Sequence, residues 1–474
     1  MRVLFASSEA APFIKSGGLG DVAGALPKAL VKAGVDVRVI LPYYQDIKPQ
    51  LCQDMTYVGN IYVPLAWRRQ YCGIFTKTVD GVRYYFVDNE YYFKRKGIYG
   101  HYDDAERFSF FSRAILESMK ITGFYPDIVH CNDWQTGLVP VYLDAYYRHD
   151  KEYSQMRTLF TIHNIEFQGK YGKDVLADVV GLPEDKNALI DYAECVNYMK
   201  GAIESANVVS TVSNSYATEI LDSYYAYGLE DILIDRQYKL KGIVNGIDVD
   251  SYNPSTDKCL FACYDAMDFT PKATCKQQLL RMLDMPEVEG RPLVAMITRL
   301  TNQKGIDLVL EVIEEILSRD LQMVVLGTGD WAYEASLRDV EKKYPSKFKA
   351  LITFSEDLAR KIYSGADMFL MPSRFEPCGL SQLIAMRYGN VPIVRETGGL
   401  KDTVAPYIVG EGEGTGFTFY SYNAHDMLGA IDRAIEVYTQ PLEWQKVVRN
   451  CMEKDYSWTA SATKYHQLYQ QILN

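Results

Sequence analysis

Short apolar, β-branched runs alternate with stretches of helical periodicity along most of the chain. In the first half, Val3–Ala6, Val35–Leu41, Val82–Val87, Ile128–Cys131, Leu159–His163, Val208–Val212 and Gly242–Val244 predict strands. In the second half, Leu293–Thr298, Met323–Leu326, Ala350–Phe354, Met368–Met371, Pro392–Arg395 and Gly416–Phe419 do the same. Helical patterns fill the intervals, among them Phe108–Met119, Tyr192–Ser205, Gly305–Leu317 and Trp331–Tyr344. Beyond Tyr456, the residues Trp458, Tyr465, Leu468, Tyr469 and Ile472 fall on one apolar face of a final helix. Strands that alternate with helices in this way imply parallel sheets covered by helices on both faces.

The turn-rich stretch from Asn245-Gly246-Ile247-Asp248 to Asn253-Pro254-Ser255-Thr256-Asp257 lies near the midpoint and marks a boundary. A length of 474 residues is also too great for one ordinary core. The expectation is an α/β protein of two Rossmann-like, doubly wound parallel-sheet domains facing a central cleft. They span residues 1–245 and 246–455, with a helix over 456–474 packing back on the first domain. Ligands of such sheets bind beyond the carboxyl ends of the strands, which makes the loops after the strands the places to search.

Composition narrows the class. The apolar share of 48% is enough for two cores, and a net charge of −11 argues against a nucleic-acid partner. No apolar run approaches the ~20 residues needed to span a bilayer. Met1-Arg2-Val3-Leu4-Phe5 leads straight into a strand with no signal-peptide pattern, so a cytoplasmic location without membrane contact is expected. The nine cysteines are scattered and odd in number, which speaks against a disulfide framework. Cys259, Cys263 and Cys275 form a loose group without histidines, read as thiols and not as a zinc site. The 37 tyrosines suit half-buried packing with wet hydroxyls, and equally a surface that stacks on sugar rings.

Candidate chemistry sits on the strand-end loops. Lys15-Ser16-Gly17-Gly18-Leu19-Gly20-Asp21 is a glycine-rich turn between a strand and a helix, where bare N–H groups and a helix dipole suit a phosphate. It fits neither the dinucleotide fingerprint nor the P-loop pattern, which weakens a dehydrogenase or an ATPase. Thr397-Gly398-Gly399-Leu400-Lys401-Asp402 echoes it in the second half. Arg299 and Lys304 follow a strand end and can face one anion if their loop folds back; the bland alternative is two solvated cations. In Ser373-Arg374-Phe375-Glu376-Pro377-Cys378-Gly379-Leu380, Glu376 precedes a helix start at Gly379 and Leu380, as a ligand-facing acid or as a capping carboxylate. His130-Cys131-Asn132-Asp133-Trp134 and Thr161-Ile162-His163-Asn164 close two first-domain strands. Asp133 beside Trp134 suits sugar hydroxyls next to a stacking plane, and His163 can donate to a sugar hydroxyl. A lone histidine is more often structural.

Taken together, Lys15–Asp21, His130–Gly137, Thr161–Gly169, Asn245–Asp248, Arg299–Gly305, Ser373–Gln382 and Thr397–Val404 resemble bacterial glycogen synthases and plant starch synthases, retaining glycosyltransferases of the GT-B fold. The resemblance spans essentially the whole chain. It implies donor-phosphate contacts from Lys15, Gly17, Gly18, Arg299 and Lys304, with Cys378, Gly379 and Leu380 at the second helix start. It places the active-site acid on Glu376, an adenine-stacking ring on Phe354, and catalytic roles on His163, Asp133, Arg299 and Lys304. The acceptor side takes Glu9, Asp21, Trp134, Asn164, Asn245 and Tyr92. Ser16 stands where many relatives carry Thr, and Ile384 stands where other retaining GT-B enzymes carry a second Glu, as in this branch.

The implied reaction transfers glucose from ADP-glucose to the 4-hydroxyl end of glycogen or another α-1,4-glucan, with no cofactor and no metal ion. A UDP-glucose enzyme of the same fold and a non-catalytic glucan-binding scaffold are the alternatives.

Overall fold

The computed structural model describes residues 1–474, which divide into two compact units: 1–245 together with 458–474, and 246–457.

The first unit is built on a nine-stranded sheet. Its strands run in the order Leu240–Gly242, Val208–Thr211, Arg157–Ile162, Ile128–Asn132, Arg2–Ala6, Asp36–Pro42, Val82–Asp88, Arg68–Val79 and Thr56–Leu65. The first seven are parallel; the last two form an antiparallel hairpin at the edge. Central strands such as Val3-Leu4-Phe5-Ala6 are buried on both faces, so they read as unbroken apolar runs. The sequence pattern predicts no strand over this hairpin. One of its faces packs on the helix Asp104–Thr122, while Tyr57, Tyr62 and Tyr71 are exposed, so its strands mix polar and aromatic residues and carry no apolar run.

Other boundaries shift for local reasons. The expected helix over 192–205 begins only at Tyr198, where the Asn197 side chain accepts from Lys200 N at 3.0 Å as an N-cap. Residues Asp191–Tyr192 and Cys195–Asn197 instead join Lys170–Tyr171 in a small antiparallel sheet. The expected strand over 242–244 lies two residues earlier, at Leu240–Gly242.

The last helix, Trp458–Leu473, packs against the helix Gly18–Lys32. Tyr469 OH and His130 Nδ1 are 2.7 Å apart, and Ser461 Oγ donates to Val244 O at 2.7 Å. Tyr456 and Ser457 belong instead to the second unit: Ile247 N donates to Tyr456 O at 2.8 Å, and Tyr456 OH donates to Thr403 O at 2.7 Å.

The second unit holds a six-stranded, wholly parallel sheet in the order Phe348–Leu351, Gln322–Leu326, Leu293–Ile297, Met368–Met371, Val391–Arg395, Phe417–Phe419. Numbered within the sheet by chain position, that is 3-2-1-4-5-6, the Rossmann order. The helix predicted over 305–317 is two, Ile306–Glu311 and Ile313–Ser318, because Val312 leaves helical geometry with φ −118° and ψ 21°. The strand expected to reach Phe354 ends at Leu351, which leaves Phe354 on the loop.

Candidate active site

Strand order reverses at one point in each large sheet, and there the connections leave in opposite directions and open a crevice at the carboxyl ends. In the second unit this point lies between Leu293–Ile297 and Met368–Met371. The loops that follow them carry Arg299 to Gly305 and Pro372 to Leu380.

Hydrogen bonds stitch these two loops together. Arg374 N donates to Gln303 O at 2.8 Å, and Gln303 Nε2 donates to Phe375 O at 3.3 Å. The consequence is a pair at the centre: Lys304 Nζ donates to Glu376 Oε2 at 2.6 Å, and Ser373 Oγ donates to the same oxygen at 3.0 Å. Glu376 is buried and Lys304 nearly so. Both of these bonds fall on Oε2 and neither on Oε1. Arg299, on the same loop, is exposed and its guanidinium has no partner.

The second glycine turn has a packing role. Gly399 N donates to Glu376 O at 3.0 Å. Gly398 has φ +45°, and a β-carbon there would overlap the same Glu376 oxygen. The Thr397–Gly399 turn therefore buttresses the backbone of Glu376 to Cys378. The helix after Glu376 starts at Ser381 with Leu380 as its N-cap, later than the sequence implied. Gly379 has φ +73°, and Cys378 is buried with its carbonyl accepting from Gln382 Nε2 at 3.0 Å. Phe354 is 82% exposed and free to stack.

In the first unit the order reverses between Arg2–Ala6 and Ile128–Asn132. Asp133 follows the second of these with φ +56°. Its carboxylate accepts from His163 N at 2.7 Å and from the Asn164 amide. Burial pushes the carboxyl up to about 7 against the opposing pull of those two bonds. His163 Nε2 lies 2.9 Å from Asn132 Oδ1, and burial pushes the imidazole down to about 3, so it is neutral near pH 7. Asn164 Oδ1 accepts from Glu166 N at 3.0 Å.

The first glycine turn is shaped from within. Gly17 is the N-cap and the helix starts at Gly18, inside the motif. Glu9 is buried and accepts from Ser16 N, from Ser16 Oγ at 3.1 Å and from Tyr99 OH at 3.1 Å. Lys15 Nζ pairs with Asp21 Oδ1 at 3.0 Å, both side chains substantially exposed. Asn245 is buried, and its Oδ1 has no partner.

Two expected acceptor residues stand elsewhere. Trp134 is almost fully buried, its ring packed against Phe108 at 5.1 Å and Tyr171 at 6.0 Å between centroids, with Gly169 pressed on its face. Tyr92 is wholly buried and its hydroxyl donates to Glu106. Neither presents a face to a sugar, because both rings are core. Ser373 and Tyr99 hold the two acids Glu376 and Glu9, and neither is among the residues the sequence marks as candidates. Ser373 lies inside the quoted motif; no sequence signal marks Tyr99.

Residues 2–235 match the family "Starch synthase catalytic domain" and residues 284–450 match "Glycosyl transferases group 1". A glycogen synthase of Geobacillus thermodenitrificans is 51% identical over 476 residues, covering 100% of this chain and 98% of that protein. One of Clostridium acetobutylicum is 50% identical over 478 residues, covering 100% of both. The catalytic domain of starch synthase IV from Arabidopsis thaliana, solved bound to ADP and acarbose, matches with a TM-score of 0.89 at 36% identity, covering 100% of this chain and 99% of that one. A sucrose-phosphate synthase from Thermosynechococcus elongatus matches at TM-score 0.63 and 18% identity over 99% and 98% of the two chains, which shows the shared GT-B fold alone. The two Rossmann-type sheets, the acids and cations at their switch points and these relatives agree: the chain belongs to the glycogen synthase and starch synthase family of glycosyltransferases.

Proposed function

We propose that the protein transfers glucose from ADP-glucose to the non-reducing 4-hydroxyl end of an α-1,4-glucan, with retention of configuration. The observation that carries this reading is the buried Lys304–Glu376 pair beside the unpartnered Arg299, at the switch point of a Rossmann sheet. The likeness to a starch synthase solved with ADP and acarbose supports the donor base and the glucan acceptor.

The chemistry follows from charge. As the glucosyl C1–O bond breaks, its electron pair goes to the phosphate oxygen, so negative charge grows on the departing ADP. Lys15, Arg299 and Lys304 are the cations assigned to that charge. The acceptor 4-oxygen attacks C1 from the face the phosphate leaves, and its proton passes to the departing phosphate oxygen. Products are ADP and a glucan longer by one unit.

Glu376, with Oε2 held by Lys304 and Ser373, offers Oε1 to a hydroxyl of the transferred glucose and steadies positive charge at C1. Neutral His163 spends its one ring N–H, on Nε2, on Asn132 Oδ1 and so offers Nδ1 as an acceptor to a sugar hydroxyl. Asn164 and Asn245 contribute to the acceptor side, and Asp133 serves the catalytic centre by holding the His163 backbone. Phe354 stacks on adenine, and a cytoplasmic setting suits such donors.

The test is an assay of nucleoside diphosphate release with ADP-glucose or UDP-glucose, with and without glycogen. The reading expects ADP release that depends on glycogen. Equal or faster turnover of UDP-glucose would overturn the donor assignment, and no glucan-dependent release from either would overturn the activity.

A further inference from the structure

The sequence assigns the amide groups of the Lys15–Gly18 turn to a phosphate, and the resemblance assigns Glu9 to the acceptor. The structure relates the two differently. Glu9 Oε2 accepts from Ser16 N, and its Oε1 accepts from Ser16 Oγ and Tyr99 OH, each at 3.1 Å. The Gly17 amide is also directed at this carboxylate. Tyr99 OH is in turn 2.7 Å from Ser8 Oγ. A carboxylate offers about four acceptor positions. The chain's own donors fill most of these on Glu9, in a side chain with only 3% exposure.

The two amides are thus turned inward, away from any phosphate. What remains for an anion is Lys15 and the first amides of the helix Gly18–Lys32, itself long enough to carry a dipole. The packing is tight on that side. A β-carbon on Gly20 would lie 3.0 Å from Lys15 Cα and 3.1 Å from Glu9 Oε2. Burial raises the Glu9 pKa above its ordinary value, while the bonds from Ser16, Tyr99 and Gly17 pull the other way; these bonds are what keep a carboxylate tolerable there. A turn rich in glycine has much freedom to lose on binding, and an internal latch removes that freedom beforehand.

We propose that Glu9 and Tyr99 are positioning residues for donor binding: Glu9 latches the Lys15–Gly18 turn by occupying the Ser16 and Gly17 amides, and Tyr99 holds the Glu9 carboxylate in place. This rests on the reading that the turn meets the donor's diphosphate. It moves Glu9 from the acceptor side to the donor side, and it gives Tyr99 a role.

The test is calorimetry with free ADP on the parent protein and on Tyr99→Phe, Glu9→Gln and Glu9→Ala, alongside donor and glucan KM values. Tyr99→Phe keeps the ring and removes one hydrogen bond to a charged group; it is expected to weaken ADP about tenfold, the scale of such a bond. The donor KM rises with it, and the glucan KM stays unchanged. Glu9→Ala weakens ADP further, Glu9→Gln recovers part of that loss, and Tyr99→Phe adds nothing on top of Glu9→Ala. Melting temperatures identify any variant that fails to fold, and Tyr99→Phe alone then decides. A parent that binds ADP with variants of equal affinity overturns the latch and leaves the reading of function standing. So does a Tyr99→Phe variant whose only change is a higher glucan KM. A folded parent that binds no ADP overturns the reading and the latch together.

Discussion

Lys304 Nζ lies 2.6 Å from Glu376 Oε2, and Ser373 Oγ reaches the same oxygen, so Glu376 is held by a largely buried cation and a hydroxyl. The pair ties two loops into one surface. It also means that removing either residue leaves the other without its counter-charge in a largely buried setting. Glu376→Ala is therefore expected to lower turnover by at least ~100-fold. It also destabilises the fold by about 3–5 kcal/mol, the usual result of stranding a buried charge. Chemical denaturation and steady-state rates on the same sample separate the two losses. Lys304→Met with Glu376→Leu is the control: if the pair is replaced without loss of stability while activity stays absent, its role is chemical. Near-native turnover by folded Glu376→Ala would remove Glu376 from the mechanism.

Arg299 makes a contrast with Lys304, since it is exposed and partnerless. Arg299→Ala should leave stability within ~0.5 kcal/mol of the parent, as surface substitutions do. It should nonetheless weaken free ADP and ADP-glucose alike, because both carry the diphosphate. Lys15→Ala should act on both ligands in the same direction. Calorimetry with ADP is the measurement, and unaltered affinity in both variants would refute the anion clamp.

The pH dependence of stability has two opposing parts in the first unit. His163, pushed down to about 3, and His130, well below its ordinary range, bind protons in the unfolded chain before they do in the native one. Their contribution is present above the unfolded value of ~6.5 and is lost as pH falls toward the native values. Asp133, pushed up to about 7, holds a proton in the native state between the unfolded value of ~3.9 and 7, so it subtracts stability as pH rises through that window, by at most ~1.4 kcal/mol per pH unit. Asp133→Asn removes only the second part. Its urea midpoint should rise more steeply than the parent's from pH 4 to 7 and run parallel above that. Parallel curves throughout would show that Asp133 is ionised across the range.

Gly398→Ala is expected to disturb the site without touching a ligand. Its φ of +45° strains an alanine, and the new methyl would overlap Glu376 O. Turnover should fall by about tenfold or more, on the scale of a small misplacement of a catalytic group. Gly410→Ala is the comparison, with φ +90° but open space around it, so that strain alone is measured. Equal effects of the two substitutions on rate would deny the buttress.

The last helix can be tested at one hydroxyl. Tyr469 OH lies 2.7 Å from His130 Nδ1, while Thr161 Oγ1 lies 2.6 Å from Nε2, all three side chains being buried. Tyr469→Phe leaves a ring nitrogen without its partner and should cost about 1–3 kcal/mol. A thermal melt that does not shift would show the contact to be dispensable.

The frame is legible in the residues alone. Runs such as Val3-Leu4-Phe5-Ala6 and Met368-Phe369-Leu370-Met371 are apolar at every position because both faces of a parallel strand are covered, so they are readable without partners. The motifs at their ends put Lys15, Asp133, His163, Arg299, Lys304 and Glu376 on loops that follow strands, since a loop after a strand is a local property. What depends on residues far apart was not readable. The 56–79 hairpin hides in a mixed polar and aromatic pattern that only the helix Asp104–Thr122 on one side explains. Trp134 reads as a stacking plane in sequence and the resemblance puts Tyr92 on the acceptor side, yet both rings are core because Phe108, Tyr171 and Glu106 close around them. The Lys304–Glu376 contact spans 72 residues, and Tyr99 reaches Glu9 across 90. Contacts made in the fold give one acid a cation and the other the glycine-rich turn that the sequence alone assigns to a phosphate. Residue identity sets what a side chain can bind, but burial and the nearest donor set what it has already bound.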